Sequence, residues 1–240
     1  MDINTDDTPL NYCYQFKLPD QTLSQIDIKI DRRTIALIPR EEAGLPDWVK
    51  LDFEQCPNCP LKAKETPYCP VARNLMPLID LCSSLASYTE MDVCIIAPDR
   101  VINARTTAQR AVSSVLGLIM ATSACPHTAY LKPMARFHVP LSGEEEAIYR
   151  TTSMYLLAQY FKSKKGLSHD YDIAGLTEIY DNLKTVNRAM ARRLKAAISQ
   201  DAAVNAVILL DLLSQAVTWS IEDGLEEIAY LFKSYTAEST

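Results

Sequence analysis

At 240 residues, 48% hydrophobic and 22% charged, the chain has enough apolar material to bury a core, which excludes a disordered polymer. The formal net charge of −6 argues against a general affinity for nucleic acid or anionic membrane and leaves only a local basic patch for such contacts. Prolines outnumber glycines by 13 to 6, so turns are set mainly by fixed φ and less by a permissive backbone.

The opening Met1 to Thr8 is acidic and lacks an apolar run, so no secretory signal is expected there. The longest apolar stretch, Ala202 to Leu213, is interrupted by Asn205 and Asp211 and is too short to span a bilayer. A cytoplasmic setting follows as the default. Thiols stay reduced there, so the seven cysteines are metal ligands, reactive groups or small core residues before they are a disulfide framework.

From Tyr12 to Phe53 the hydrophobic pattern has period two. Tyr12, Tyr14, Phe16 and Leu18 form one half-buried strand, and Ile26, Ile28 and Ile30 a second after the Pro19-Asp20 turn. Thr34 to Ile38 and Val49 to Phe53 complete a predicted meander. Between Cys56 and Pro70 the prolines at 57, 60, 67 and 70 prevent regular structure, so something other than backbone ladders must order this loop.

A helix is predicted within Val71 to Ala86, with Pro77 either kinking it or marking its first turn. Met91 to Arg105 reads as a hairpin turning at Pro98-Asp99. Beyond it helices dominate: Thr106 with Gln109 and Ser142 with Glu145 have capping-box spacing. Leu176, Ile179, Leu183, Val186, Met190 and Leu194 form a helical stripe that runs into a basic end at Arg188, Arg192, Arg193 and Lys195. Asp201 is a candidate cap for the next helix, whose first half should lie mid-bundle because it is apolar almost all round. A final amphipathic helix is predicted over Ile221 to Tyr235. The predicted fold is α+β, a small N-terminal antiparallel sheet packed on a larger helical bundle, with residues 1–55 as the meander and 56–240 as the Cys-rich loop and bundle in one cooperative module.

Cys56, Cys59, Cys69 and Cys125 are each followed by proline, whereas Cys13, Cys82 and Cys94 sit in strand or helix patterns where a small apolar group suits packing. A C-x-x-C turn brings two thiolates toward one ion, and proline stiffens that turn. The candidate metal site is therefore Cys56, Cys59, Cys69 and Cys125, with His127 as an alternative ligand. Zn²⁺ is the first expected occupant and a [4Fe-4S] cluster the second. The competing readings are ordinary loop thiols in a metal-free structural or interaction protein, and a metal-dependent or redox enzyme acting near Cys125, His127 and His138.

Around His138 the surround Pro133 to Phe137 is apolar, which suits a hydrogen-bonded core histidine; Arg136, Arg150, Tyr155 and Gln159 are candidates to line a polar pocket with it. His169 reads as an exposed loop residue, and Glu144 to Glu146 as a solvated helix start. Asn205 and Asp211 need hydrogen-bond partners wherever they are buried. Dinucleotide, P-loop, nucleophile-elbow, H-E-x-x-H and E-x-x-H signatures are absent. Tyr149, Tyr155, Tyr160 and Phe161 on one helix suggest self-association, a homodimer or a protein partner.

The segments Cys56 to Leu61 (CPNCPL), Ala124 to His127 (ACPH), Pro133 to His138 (PMARFH) and Tyr155 to Phe161 (YLLAQYF) resemble a family of uncharacterised bacterial proteins. That resemblance covers most of the chain. It implies one chain-long module in a bacterial cytosol and assigns no catalytic residue.

Overall fold

The computed structural model describes residues 7–39, 44–83, 85–198 and 201–237. The acidic start up to residue 6 lies outside them. Strand β1 (Leu10–Lys17) turns at Pro19-Asp20 into β2 (Leu23–Ile30), and β3 (Glu90–Ala97) turns at Pro98-Asp99 into β4 (Arg100–Thr107). All neighbours are antiparallel in the order β2-β1-β3-β4, so Tyr14 stands opposite Ile26 on one side and Ile95 on the other. The sheet therefore draws on both sides of residue 55 and is completed by the second hairpin.

Period-two alternation sends Leu10, Tyr12, Tyr14, Phe16, Ile26, Ile28, Ile30, Met91, Val93 and Ile95 into the core. Full burial of a side chain such as Phe16 contributes roughly 1.5–3 kcal/mol. Against that face packs α3 (Ala108–Thr122), with the short helices α1 (Pro70–Arg73) and α2 (Met76–Cys82) beside it; Pro77 occupies the first turn of α2. Two long helices follow behind: α7 (Ala202–Glu222) on α3, and α6 (Ala174–Ala197) on α7. The short α4 (Lys132–Arg136) leads to α5 (Glu144–Lys164), which packs with α6 and α7 around a second apolar cluster of Ile148, Tyr155, Leu176, Tyr180, Leu183, Val217 and Ile228.

Several local expectations are corrected. Thr34 to Ile38 contributes only a bridge from Leu37 to Ile30, and Val49 to Phe53 is no strand: a 3-10 turn at Asp47–Val49 and a bridge from Lys50 to Tyr68 replace it. Alternation of Val49 and Leu51 reflects burial of a loop, and that loop is tied down by side chains from α6. Neither capping box forms. Helix α3 continues directly from β4, and its first amides donate to Thr89 O and Ser87 O, which leaves Thr106 and Thr107 in the strand; α5 starts from Gly143 without a side-chain cap.

Asp201 precedes α7 without capping it and binds Ser87 N (2.8 Å), Ser87 Oγ (3.1 Å) and Asn205 Nδ2 (3.0 Å) instead. By length and composition α7 could match a membrane span, but here it packs on α3, α5 and α6. It is not surrounded all round, since Ile208 and Leu212 are 46% and 51% exposed. The predicted last helix is broken at Gly224 and Leu225, both at positive φ, into α8 (Glu226–Ala229), a 3-10 turn and α9 (Lys233–Thr236).

Candidate functional site

The loop from Asp47 to Cys69 has almost no backbone ladder of its own, and α6 supplies the missing order. Arg193 lies in the buried stripe of α6, only 1% exposed, and its guanidinium donates to Trp48 O (2.8 Å), Lys50 O (2.7 Å) and Leu51 O (2.8 Å). It is thus no part of a basic patch near the helix end. Next to it, Arg192 pairs with Glu54 at 2.6 Å, and Asn58 Nδ2 donates to Asn182 Oδ1 at 2.8 Å. Those contacts pin the C-x-x-C turn, closed by Cys59 N donating to Cys56 O, onto the bundle.

The segment after α3 arrives at the same place. His127 Nε2 lies 2.7 Å from the Asn58 carbonyl, which can only accept, so this nitrogen carries the proton and only Nδ1 remains free to ligate. Cys56, Cys59 and Cys125 pack on the main core beside the buried Cys69. Burial pushes the Cys56 thiol up to about 11, with Cys69, Cys59 and Cys125 adding to the rise and Arg193 opposing it. Burial raises the Cys125 thiol too, offset by the backbone N–H groups of Thr128 and His127, which favour its thiolate. Sulfurs brought by three separate segments thus share one neighbourhood. Among the described residues, however, no three His, Cys, Asp or Glu side chains are grouped so as to hold a metal ion, so the sulfurs are near one another without being arrayed as ligands.

Two buried atoms at this junction lack partners among the described residues, the Arg193 Nε donor and the Asn58 Oδ1 acceptor. No carboxylate lies within ion-pair distance of Arg193 among those residues. Cys13, Cys82 and Cys94 take no part, lying in β1, α2 and β3 respectively.

His138 belongs to a different feature, a cavity of about 520 Å³ bounded by α3, α4, α5, α6 and α7. Leu141 N donates to Ser114 Oγ (3.3 Å), which lies 2.9 Å from Tyr14 Oη, itself 2.5 Å from His138 Nε2. Burial, then the Arg150 charge, draws the histidine's pKa down to about 3, and burial raises that of Tyr14 above its usual value. A neutral imidazole accepting from the tyrosine satisfies this chain, with Ser114 donating to Tyr14. Arg150 lines the same cavity and, among the described residues, spends only Nη2, on Met134 O (3.3 Å) and Phe137 O (2.8 Å).

Of the other pocket candidates, Arg136 stacks over Phe137, Tyr155 donates to Asp170 Oδ2 (2.8 Å), and Gln159 accepts from Asp170 N (3.0 Å), so all three are engaged elsewhere. His169 is exposed and sits on Tyr171. Sequence reasoning missed Asn187, Tyr180 and Ser114 in the cavity and Arg193 at the junction. For Asn187 and Arg193 a signal existed, since both interrupt the apolar stripe of α6 at positions that face inward.

A family model matches residues 10–233, nearly the whole chain. The chain belongs to the family described as a domain of unknown function (DUF6901). No curated protein and no solved structure matches it. Membership therefore brings no chemistry, and function has to be argued from the junction and the cavity.

Proposed function

We propose that this DUF6901 protein is a cytoplasmic metal-dependent binding protein in which Cys56, Cys59, Cys69 and Cys125 hold one Zn²⁺, or a [4Fe-4S] cluster, that joins the proline-rich loop to the helical bundle. What supports this reading is that four thiols from three segments share one neighbourhood, where Arg193 and the backbone N–H groups of Thr128 and His127 oppose the rise that burial and the neighbouring thiols impose. Burial alone would keep these thiols protonated, but a cation changes the balance. Four thiolates around a divalent ion leave an excess of two negative charges, and Arg193, a buried cation with no carboxylate beside it and an unused Nε–H among the described residues, supplies part of the compensation. His127 serves the site by holding the Asn58 carbonyl, and so the C-x-x-C turn, in place.

Absorption spectra and elemental analysis of anaerobically purified protein test the proposal. Iron with visible absorption identifies a cluster, and colourless protein with zinc identifies the other occupant. Cys59→Ser should lower metal content, while Cys82→Ser, inside α2, should leave it unchanged. Equal metal in both variants would remove the site.

A further inference from the structure

The cavity beside His138 is independent of the thiol junction and has the make-up of a small-molecule site. Its volume of about 520 Å³ falls in the range that encloses most of a drug-sized ligand. Most of its wall is apolar, including Leu118, Leu131, Leu210, Leu213 and Val217. Against that wall stands Asn187, only 3% exposed, whose side-chain amide makes no hydrogen bond among the described residues. Its polar atoms are not sealed in the core but open on the cavity, where they can bond to whatever fills that space.

Arg150 supplies the charge. Its Nε and Nη1 have no protein acceptor among the described residues, and no carboxylate lies within ion-pair distance of it there. A guanidinium with an open edge at an apolar cavity fits a planar carboxylate. The neighbouring His138 is neutral and its Nε2 is occupied by Tyr14, so it adds no second cation. Arg110 and Glu144 also line the cavity, both exposed and opposite in charge, so Arg150 leaves one net positive charge on the wall, which suits a monoanion better than a dianion such as a phosphate monoester.

We propose that this cavity binds an alkyl monocarboxylate of medium chain length, its head taken by Arg150 and by the Asn187 amide and its tail lying along the apolar wall. Calorimetric titration of the full chain with decanoate, decanol and acetate tests this. Decanoate should bind at least tenfold more tightly than either of the others, since decanol lacks the charge and acetate the tail. Arg150→Gln should weaken decanoate by roughly tenfold or more while leaving decanol unchanged, and retained decanol binding shows that the variant is folded. Leu213→Trp, which fills the cavity, should abolish uptake of both. Absence of decanoate binding, equal affinity for decanoate and decanol, or an Arg150→Gln protein that binds decanoate as tightly as the wild type would overturn the proposal.

Discussion

The thiol junction and the cavity both rest on α6, and each uses one polar side chain from its buried stripe, in opposite ways. Arg193 spends both terminal nitrogens on three loop carbonyls and ties the loop to the bundle; Asn187 makes no side-chain hydrogen bond among the described residues and faces an open space. The same helix thus carries a structural clamp and a recognition group six residues apart. A buried polar residue whose partners are all internal is part of the fold, whereas one without partners is a candidate contact for a ligand.

Substitution of the two residues sharpens that contrast most. Arg193→Leu removes the one side chain bonded to Trp48 O, Lys50 O and Leu51 O among the described residues and leaves Lys50 O with only the Phe53 amide, so it should cost more than about 3 kcal/mol in urea unfolding and expose the loop to protease. Asn187→Leu should be neutral or stabilising by about 1 kcal/mol, because an unpartnered amide is replaced by an apolar group beside a void. Comparable losses in both variants would break the distinction.

A smaller effect should appear at Gly175. Its N–H donates to Asp170 Oδ2 at 2.8 Å, and an added Cβ would collide with Tyr155 Oη, which binds the same carboxylate. Gly175→Ala should therefore lower stability by about 1–3 kcal/mol through the second apolar cluster, leaving the loop's protease resistance unchanged. A lower thermal midpoint without new loop cleavage is the expected pattern.

The cavity side should also respond to pH through His138. Its folded pKa is drawn down to about 3 from an ordinary 6.5, so between those values the unfolded chain binds the extra proton. The stability contribution is complete above pH 6.5, falls as the pH drops toward 3 and levels off below, with a slope of at most about 1.4 kcal/mol per pH unit. His138→Gln should flatten that slope in urea titrations at pH 4 to 7. An unchanged slope would mean that the histidine titrates normally and does not accept from Tyr14.

How much was legible in the sequence followed from how local each signal is. Alternation in Tyr12 to Phe16 and Ile26 to Ile30, with Pro-Asp turns, marked both hairpins because strand and turn chemistry lie within a few residues of each other. The cysteine-proline pairs were conspicuous for the same reason, and their meeting at the loop–bundle junction was expected. Val49 and Leu51 misled, since burial in a loop clamped from 140 residues away has the same period as burial in a strand. The capping box of α3 failed where backbone carbonyls at Ser87 and Thr89 reached the helix start first, and that of α5 failed because the helix starts from Gly143 without a side-chain cap. Of the cavity only His138 and Arg150 were anticipated, as residues of a polar pocket; its apolar wall was not, because an unfilled space is made by what five helices fail to cover, and no segment encodes it alone.

The metal-to-protein ratio of the chain purified anaerobically and without chelator tests the thiol junction most directly. One zinc, or one four-iron cluster, per chain is expected, with the ratio falling in Cys56→Ser, Cys59→Ser, Cys69→Ser and Cys125→Ser and holding in Cys13→Ser and Cys94→Ser. Wild-type protein without metal, or ratios equal across all six variants, would make the cysteine-proline pairs a device for stiffening turns and nothing more.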